Sequence, residues 1–597
     1  MRRGECCGRD PALWYDVLPR VTRPGRYTNR EWNAIHKEHA GVRLRVALAY
    51  PDTYELGMSH LGLRILYHLL NERDDTVAER VYAPWTDMEE ALRARGLLLT
   101  TLESATPLRA FDIVGFTLPY ELLYTNVLNM LDLGGIPVLA AERTTDDPVV
   151  IAGGPCACNP EPLTDFIDAF VLGDGEEVIG EIAEAVMETG RGDRQHLLQR
   201  LSEIEGVYVP GFYDVTYAPD GIVAEITARD NAPTSVRSRV VADLDRAYYP
   251  TQQIVPYLET VHDRVTLEVM RGCARGCRFC QAGVTYRPVR KRSVDTLLEQ
   301  ARRTLAATGH DEVSLMAFSS ADYPDIEELA ERLIDEHGDK RVNVSLPSLR
   351  MDTFSVRLAE RVQRVRRATL TFAPEAATAR LREVINKQAT DEDLFAAASA
   401  AFQSGWNGLK LYFMIGLPTE TDDDAAAIGD LLRRLVAFGR RELGTRRGRL
   451  RINASVTPFV PKPHTPFQWT AQASTEDLDR HRRLICGEAT GKAIHLSWRS
   501  PEQSLLEATF ALGDRRLGTV VGAAWEAGAR FDAWDEMFDF QRWKQAFAAC
   551  GLDPSFYAHR ARGLDERLPW DHLSYGQSKE WLTREIERAR GAGGEVA

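Results

Sequence analysis

The sequence predicts an α/β protein of several domains, and its length and its alternation of elements carry this prediction. Its 597 residues, 44% of them hydrophobic, exceed what a single domain usually holds. Apolar runs typical of strands alternate with helical runs in two separate stretches, which indicates parallel sheets covered by helices. We expect an N-terminal Rossmann-like α/β domain, a partial (β/α)6 barrel and an α-helical C-terminal domain.

The Rossmann-like domain is expected at 41–200, behind an N-terminal extension at 1–40. A helical run covers about Leu61 to Leu70 between the first two apolar runs. The next segment, 201–260, contains GVYVPGFYDVTYAPDGIVAEI and is predicted to be a β-rich linker with a hairpin. The predicted strands of the domain are LRVALAY (44–50), FDIVGFTL (111–118), PVVIAGG (148–154) and the start of DAFVLGDGEE (168–177).

The barrel is expected at 261–470, because six apolar runs recur there at regular spacing. A helix is predicted from Ser293, as its N-cap, to Leu305. Beyond Pro466 the chain is rich in tryptophan and is expected to form the helical domain at 471–597. The predicted barrel strands are VTLEVM (265–270), VSLMAF (313–318), VNVSL (342–346), ATLTF (368–372), LKLYFMI (409–415) and INASVTP (452–458).

Composition restricts the classes of function. The net charge of −14 and the pI near 5.6 argue against a broadly basic nucleic-acid-binding surface. No stretch approaches the roughly 18 uninterrupted apolar residues of a membrane-spanning helix. The opening MRRGECCGRD lacks the apolar core of a secretory signal. We therefore expect a cytoplasmic protein that does not contact the membrane.

Three cysteines are packed into MRGCARGCRFC, directly after the first barrel strand. Cys273, Cys277 and Cys280 have the spacing C-x3-C-x2-C, which suggests metal or redox chemistry in a reducing compartment. Zinc would require a fourth protein ligand, and the nearest candidate, His262, precedes the strand. An iron–sulfur cluster with three cysteine ligands would leave one iron open for another ligand. Both metal centres remain possible from the spacing.

The motif on the loop after strand one of a partial barrel resembles the signature of the radical SAM superfamily, which also has an aromatic residue, here Phe279, before the last cysteine. The resemblance implies a 4Fe–4S cluster on Cys273, Cys277 and Cys280, with S-adenosylmethionine (SAM) chelating its unique iron. One-electron reduction would then cleave SAM to methionine and a 5′-deoxyadenosyl radical. A reducing partner such as flavodoxin or ferredoxin is implied as well.

Within this resemblance, the ends of the later strands should complete the SAM site. FSSAD (318–322) stands where the family carries a Gly-Gly-Glu-like turn that contacts the methionine amino group. The glycines are missing here, so Ser319, Ser320 and Asp322 are the candidates. Alternatively, Asp322 simply starts a helix together with Pro324.

Three further strand ends supply candidates for SAM. Arg350 could bind the SAM carboxylate in a bidentate manner, and Glu375 could accept hydrogen bonds from the ribose hydroxyls or the amino group. Surface salt bridges are the alternative for both. MIGLPTET (414–421) looks like the family's glycine-rich turn at adenine, with Gly416 and Pro418 in contact with the ligand.

The N-terminal segments YPDTYELGMSHLG, FDIVGFTL, IAGGP and VLGDGEE resemble the cobalamin-binding-domain branch of radical SAM proteins, and within it an uncharacterised bacterial subfamily. Cobalamin binding stays open, because the ligating signature Asp-x-His-x-x-Gly is missing around His60. The related methylthiotransferases hold a second cluster on three N-terminal cysteines. Cys156 and Cys158 could contribute to one or could be plain turn residues.

These resemblances predict an enzyme that cleaves SAM and modifies an unidentified substrate. RNA or a ribosomal component, modified by methyl or methylthio transfer, is the substrate suggested by the methylthiotransferases. TPFVPKPHTPFQW (457–469) could form a lid that carries Lys462 and His464 as acid–base groups. The alternative function is a non-catalytic iron–sulfur or zinc protein that acts as a sensor or scaffold.

Overall fold

The computed structural model describes residues 16–340, 342–345, 370–444 and 450–593. Arg350, one of the predicted SAM ligands, lies outside these described residues. Within the described ranges, no helix is long and apolar enough to cross a membrane.

The N-terminal domain is built on one six-stranded sheet. Its strands are β1 (Leu44–Tyr50), β2 (Thr76–Tyr82), β3 (Ile113–Thr117), β4 (Val149–Gly153), β5 (Ala169–Val171) and β6 (Val207–Tyr208). The order is β2-β1-β3-β4-β5-β6, and only β6 runs antiparallel to its neighbour. Beta strands β1 and β3 are parallel, but successive strands are added on opposite sides of this pair, so the Rossmann-like strand order switches between them. Doubly wound sheets bind ligands at such a switch point. Its helices are α1 (Tyr54–Gly57), α2 (Leu61–Asn71), α3 (Thr86–Arg95), α4 (Tyr124–Leu133), α5 (Val178–Thr189) and α6 (Arg194–Ser202).

The sequence prediction misses β2, because Glu79 and Arg80 place two charges in the middle of a strand that is buried along its whole length. Arg80 forms ion pairs with Glu31 at 3.1 Å and with Glu103 at 2.6 Å, and all three side chains are almost fully buried. The counter-charges come from distant parts of the chain, so no local pattern reveals the strand.

The predicted β-rich linker contains the expected hairpin. Strands β7 (Tyr213–Tyr217) and β8 (Val223–Ala228) pair in antiparallel fashion. A further short strand, β9 (Val236–Arg237), pairs with β19 (Leu573–Ser574) near the end of the chain. The linker therefore contacts the C-terminal region as well as the two domains that it joins.

The barrel wall consists of parallel strands in two described sheets, β10-β13-β14 and β15-β16-β17-β18, beside a short antiparallel ribbon of β11 and β12. The strands are β10 (Val265–Glu268), β11 (Met270–Arg271), β12 (Arg290–Lys291), β13 (Glu312–Met316), β14 (Asn343–Ser345), β15 (Leu370–Glu375), β16 (Gly408–Ile415), β17 (Arg451–Pro458) and β18 (Ile494–Trp498). The helices are α7 (Ala282–Thr285), α8 (Val294–Thr308), α9 (Ile326–His337), α10 (Ala379–Val384), α11 (Asp391–Gln403), α12 (Asp422–Leu443) and α13 (Thr475–Glu488).

All six predicted barrel strands are present in the described residues, and β18 adds another that the sequence did not predict. It lies within 471–597, the region expected to be helical. Its apolar residues Ile494, Leu496 and Trp498 alternate with His495 and Ser497, a weak signal over five residues. The predicted N-cap of α8 is confirmed, because the Ser293 hydroxyl accepts the Thr296 N–H at 3.2 Å.

The rest of the C-terminal region is helical, as predicted, but it shares the core of the N-terminal domain. Phe510, Trp543 and Trp570 are buried in the same apolar core as the first sheet. The Asn159 side chain donates hydrogen bonds to the carbonyls of Ala511 and Gly513, where the helix over 501–511 ends. Arg515 pairs with Glu161 at 2.9 Å. The helices are α14 (Pro501–Ala511), α15 (Leu517–Glu526), α16 (Phe540–Cys550), α17 (Pro554–Ala558) and α18 (Lys579–Gly593).

Arg80→Met should lower the free energy of unfolding by about 3–5 kcal/mol, because it leaves the buried carboxylates of Glu31 and Glu103 without their counter-charge. Urea denaturation followed by circular dichroism measures this loss. Arg95→Met, on the exposed face of α3, serves as the control and should change stability by less than about 0.5 kcal/mol. Equal unfolding curves for the two variants would contradict the role assigned to Arg80.

Candidate functional site

Three cysteines share the loop that follows β10 and β11. Cys273, Cys277 and Cys280 are partly exposed, and all three are thiols. Gly272 opens the loop with φ +88°, and a Cβ there would lie 2.5 Å from the Tyr286 carbonyl oxygen, so only glycine fits. The Cys280 N–H donates to the Cys277 carbonyl at 3.1 Å. The loop therefore presents its sulfurs from a constrained backbone.

The predicted residues after β13 lie beside this loop. The Ser320 hydroxyl donates to the Leu315 carbonyl at 3.1 Å, whereas the buried Ser319 hydroxyl has no hydrogen-bond partner among the described residues. Asp322 accepts two hydrogen bonds from Arg275, one of them from Nε at 2.9 Å. Since Arg275 lies between the first two cysteines, Asp322 ties the loop to the end of β13.

The next strand ends place Glu375, Gly416 and Pro418 after β15 and β16. Glu375 has φ +66°, burial raises its pKa, and Lys387 Nζ lies 3.4 Å from its carboxylate. Gly416 has φ +77°, and a Cβ there would lie 2.8 Å from that of Ala473. Packing against the protein therefore already requires the glycine. Pro418 is half-buried in the same turn.

Glu420, which the sequence analysis missed, holds the turn after β16. Its Oε2 accepts the Leu417 N–H at 3.1 Å and also the Gly416 N–H. His481 Nδ1 lies 3.4 Å from the same oxygen. Burial alone would lower the pKa of His481, but the bond to Glu420 raises it above its ordinary value. A glutamate four residues after a glycine is too common a spacing to have revealed this role.

A cavity of about 360 Å³ lies between the N-terminal sheet and the barrel. On the N-terminal side it is lined by the ends of β3 and β4, where Gly115 and Gly153 leave space that larger side chains would fill. On the barrel side it is lined by Met316 at the end of β13, by Phe318 two residues beyond it and by Tyr286. The cavity thus occupies the crevice at the reversal of strand order and adjoins the cysteine loop.

Arg271, the last residue before that loop, joins the two sides of the cavity. It lies 2.9 Å from Glu268, 2.7 Å from Glu176 and 2.9 Å from Asp174. Asp174 also pairs with Arg290 of β12. Asp174 and Glu176 belong to the glycine-rich turn after β5, so this network of ion pairs docks the N-terminal domain onto the cysteine-bearing strand.

Comparison with protein families identifies the chain. Residues 62–210 match the family described as radical SAM proteins, N-terminal, and residues 267–432 match the radical SAM superfamily. The two matches together span more than half of the sequence. The chain belongs to the radical SAM superfamily. This membership indicates an enzyme rather than the non-catalytic sensor or scaffold. The cofactors of the superfamily are a 4Fe–4S cluster and SAM, and its members act on a substrate and need a reductant.

Relatives extend beyond these two matches. An uncharacterized protein of Methanocaldococcus jannaschii is 29% identical over 477 residues, 79% of this chain and 89% of that protein. An uncharacterized methyltransferase of Pyrococcus horikoshii is 24% identical over 341 residues, 55% of this chain and 66% of that protein. The structure of the radical SAM methyltransferase TsrM of Kitasatospora setae, with cobalamin and a 4Fe–4S cluster bound, matches 92% of this chain and 100% of its own with a TM-score of 0.51 at 14% identity. That match confirms the predicted fold class.

The three cysteines of this radical SAM protein match the donor set of a cluster with one open iron. Within the described ranges, no group of three or more His, Cys, Asp or Glu side chains is placed to hold a single metal ion. Zinc gathers its ligands at about 2.0–2.3 Å from one centre, whereas a 4Fe–4S cluster binds each cysteine to a separate iron. His262, the candidate fourth zinc ligand, lies before β10 with its ring 3.0 Å from Arg264. Burial raises the pKa of Cys280 to about 11, so a metal bound there would have to displace its proton.

The Nδ1 lone pair of His60 is already used by the fold of this radical SAM protein. Its Nδ1 accepts the Leu63 N–H at 3.1 Å at the start of α2. Burial, reinforced by Arg64, lowers its pKa to about 4, so the ring is neutral and carries its proton on Nε2. Neither nitrogen then offers a lone pair to a cobalt ion.

The segment predicted as a lid, 457–469, is largely buried and contacts the N-terminal domain as well as Gln281 beside the cysteine loop. Lys462 pairs with Glu121 at 2.5 Å and with Glu507 at 2.9 Å. His464 Nε2 donates to the Cys158 carbonyl at 2.8 Å, and burial lowers the pKa of this histidine to about 4. Both residues therefore hold domains together.

Cys156 and Cys158 lie in a buried turn that touches the cysteine loop. The Cys158 sulfur accepts a hydrogen bond from Gln281 Nε2 at 2.8 Å. Burial raises the pKa of Cys158 to about 12, which keeps it a thiol. Cys6 and Cys7 lie outside the described residues.

His464→Asn should reduce the acid sensitivity of the protein. Because the pKa of His464 is about 4 when folded and near 6.5 when unfolded, the unfolded chain binds the extra proton, and stability falls as the pH drops through this window. One such histidine costs about 2 kcal/mol between pH 7 and pH 5. Urea denaturation at both pH values should show that difference shrinking in the variant. The exposed His196→Asn is the control, and an unchanged pH dependence in both variants would exclude a buried neutral His464.

Proposed function

We propose that this radical SAM enzyme holds one 4Fe–4S cluster on Cys273, Cys277 and Cys280, binds SAM on the open iron and modifies a substrate by methyl transfer. The observation that carries this proposal is the cavity between the N-terminal sheet and the barrel, which is lined by Arg271, the residue before the cysteine loop, and by Tyr286 beyond it. A second reactant or cofactor bound there would lie next to SAM.

The cluster, when bound, supplies the electron that cleaves the sulfonium bond of SAM. The cysteine loop is held by Gly272, by the ion pair between Arg275 and Asp322, and by the hydrogen bond from Gln281 to Cys158. These interactions keep the loop in one conformation, and the half-buried position of the sulfurs limits access of water. A flavodoxin or ferredoxin is the reducing partner that we propose.

The residues proposed to contact SAM come from the loop and from strand ends. A buried hydroxyl without a partner is costly, so Ser319 supports a polar ligand at the end of β13, where the methionine group of SAM would bind. The half-buried Glu375 carboxyl, next to Lys387, suits the ribose hydroxyls. The complete set is Phe279, Ser319, Ser320, Asp322, Arg350, Glu375, Gly416 and Pro418.

A corrinoid is the second cofactor that we propose, and when bound it supplies a carrier for a methyl group. Two comparisons support it: the P. horikoshii relative is described as a methyltransferase, and TsrM contains cobalamin. A volume of about 360 Å³ is at the small end of ligand sites and fits the nucleotide tail of a corrinoid rather than the whole molecule. Because the Nδ1 of His60 is used by a backbone hydrogen bond, the cobalt of such a corrinoid would have no ligand from His60.

The acidic charge of the chain bears on the class of its substrate. The net charge of −14 gives no general attraction for RNA. Support for RNA or a ribosomal component therefore comes from the resemblance to methylthiotransferases alone.

Cys277→Ala should abolish both the cluster and SAM cleavage. Wild-type protein reconstituted anaerobically should contain about four irons per chain and, with dithionite and SAM, should release 5′-deoxyadenosine. The variant should do neither. Cys486→Ala, an exposed cysteine on α13, is the matched control and should behave as wild type. A colourless, zinc-loaded wild-type protein would refute the cluster assignment.

Gly153→Leu should block corrinoid binding and leave the cluster intact, because the leucine side chain would extend into the cavity. Binding is measured by co-elution of hydroxocobalamin with the protein and by its absorbance. Gly180→Leu in α5, where a Cβ meets no atom within 4 Å, is the control. If wild-type protein binds no corrinoid, or if Gly153→Leu binds it normally, the cavity is not a corrinoid site.

A further inference from the structure

The last described helix, α18, contacts the cysteine loop although the two are far apart in sequence. Arg278 lies between the second and third cysteines, and its Nε donates to Glu585 Oε2 at 3.1 Å across 307 positions of the chain. Both residues are 7% exposed. An ion pair this deeply buried costs several kcal/mol if one partner is removed, so it fixes the loop against the helix.

Arg278 uses the rest of its guanidinium group on neighbouring backbone. Its Nη1 donates to the carbonyls of Glu383 and Val384 at 2.8 Å each, at the end of α10. The backbone N–H of Arg278 also donates to the Ile385 carbonyl at 3.0 Å. The fork of an arginine side chain allows it to reach both elements at once. The loop is thus held from two sides, by α10 and by α18.

Two further contacts, one apolar and one cation–π, strengthen the link to α18. Phe279, which precedes the third cysteine, packs against a small apolar core that includes Ala589. The Arg287 guanidinium lies 5.4 Å from the ring centre of Trp581, a cation–π contact.

The far end of α18 reaches the turn after β16. Arg380 donates to the Gly593 carbonyl at 3.2 Å and to the Thr419 hydroxyl at 3.1 Å. One helix therefore spans the cysteine loop and the turn proposed to contact adenine.

We propose that Glu585 of α18 is a positioning residue for the iron–sulfur cluster, which makes the C-terminal helix part of the cofactor site. This inference rests on the proposed function, because it requires that Cys273, Cys277 and Cys280 hold the cluster. Glu585 keeps Arg278 in place and balances its charge, which would otherwise lie unopposed beside the cluster. Arg588, 65% exposed, is the other cation that contacts Glu585.

The test compares Glu585→Gln with Glu587→Gln on the exposed face of the same helix. In Glu585→Gln, iron should be lost to a chelator about 10-fold faster than from wild type, the lower end of the effect of outer partners at metal sites. The midpoint potential of the cluster should shift upward, because an unbalanced cation favours the reduced, more negative state. Glu587→Gln should match wild type in both measurements.

The double variant Arg278→Gln, Glu585→Gln removes both charges and should return the potential toward the wild-type value, which a merely destabilised protein would not do. If Glu585→Gln does not fold, Glu585→Asp replaces it. Aspartate keeps the charge but shortens the reach, so faster iron loss with little change in potential is expected. Iron loss and potential equal to wild type in the single variant overturn the inference. A wild-type protein that assembles no cluster instead refutes the proposed function.

Discussion

The ion-pair network around Arg271 determines how the two α/β units fit together. Buried charges are costly unless they are paired, so the turn that carries Asp174 and Glu176 has to meet Arg271 and Arg290. Arg271 is also the last residue before the cysteine loop. The same interaction that docks the N-terminal domain therefore places its strand ends opposite the barrel and leaves the cavity between them beside the site of the chemistry.

The C-terminal region completes both units rather than forming a third one. Its first helices supply Phe510 and Trp543 to the core under the N-terminal sheet, while α18 returns to the barrel and holds the loop through Arg278. The segment at 457–469 adds the Lys462 pairs between them. A change in the C-terminal helices is therefore expected to affect the N-terminal core and the cofactor site together.

Local patterns were enough to predict most strands, the N-cap at Ser293 and the cysteine loop, because each depends on neighbours within a few residues. Strand β2 was missed because Glu79 and Arg80 have their partners, His39, Glu31 and Glu103, elsewhere in the sequence.

The same limit applies to the site. Glu420 and Glu585 look like ordinary surface glutamates in the sequence, and only the fold brings them to the turn and the loop that they hold. Gly416 was predicted to let the backbone approach a ligand, and that role stays a prediction. The close approach of Ala473 supplies a reason for the glycine that is independent of any ligand.

The central claim is that three cysteines leave one iron of the cluster open to SAM. Electron paramagnetic resonance of the dithionite-reduced protein, recorded with and without SAM, tests it most directly. The expected result is the signal of a reduced 4Fe–4S cluster whose g values change when SAM is added, because the amino and carboxylate groups of SAM bind the open iron. A cluster signal that SAM leaves unchanged would show that SAM does not bind the cluster.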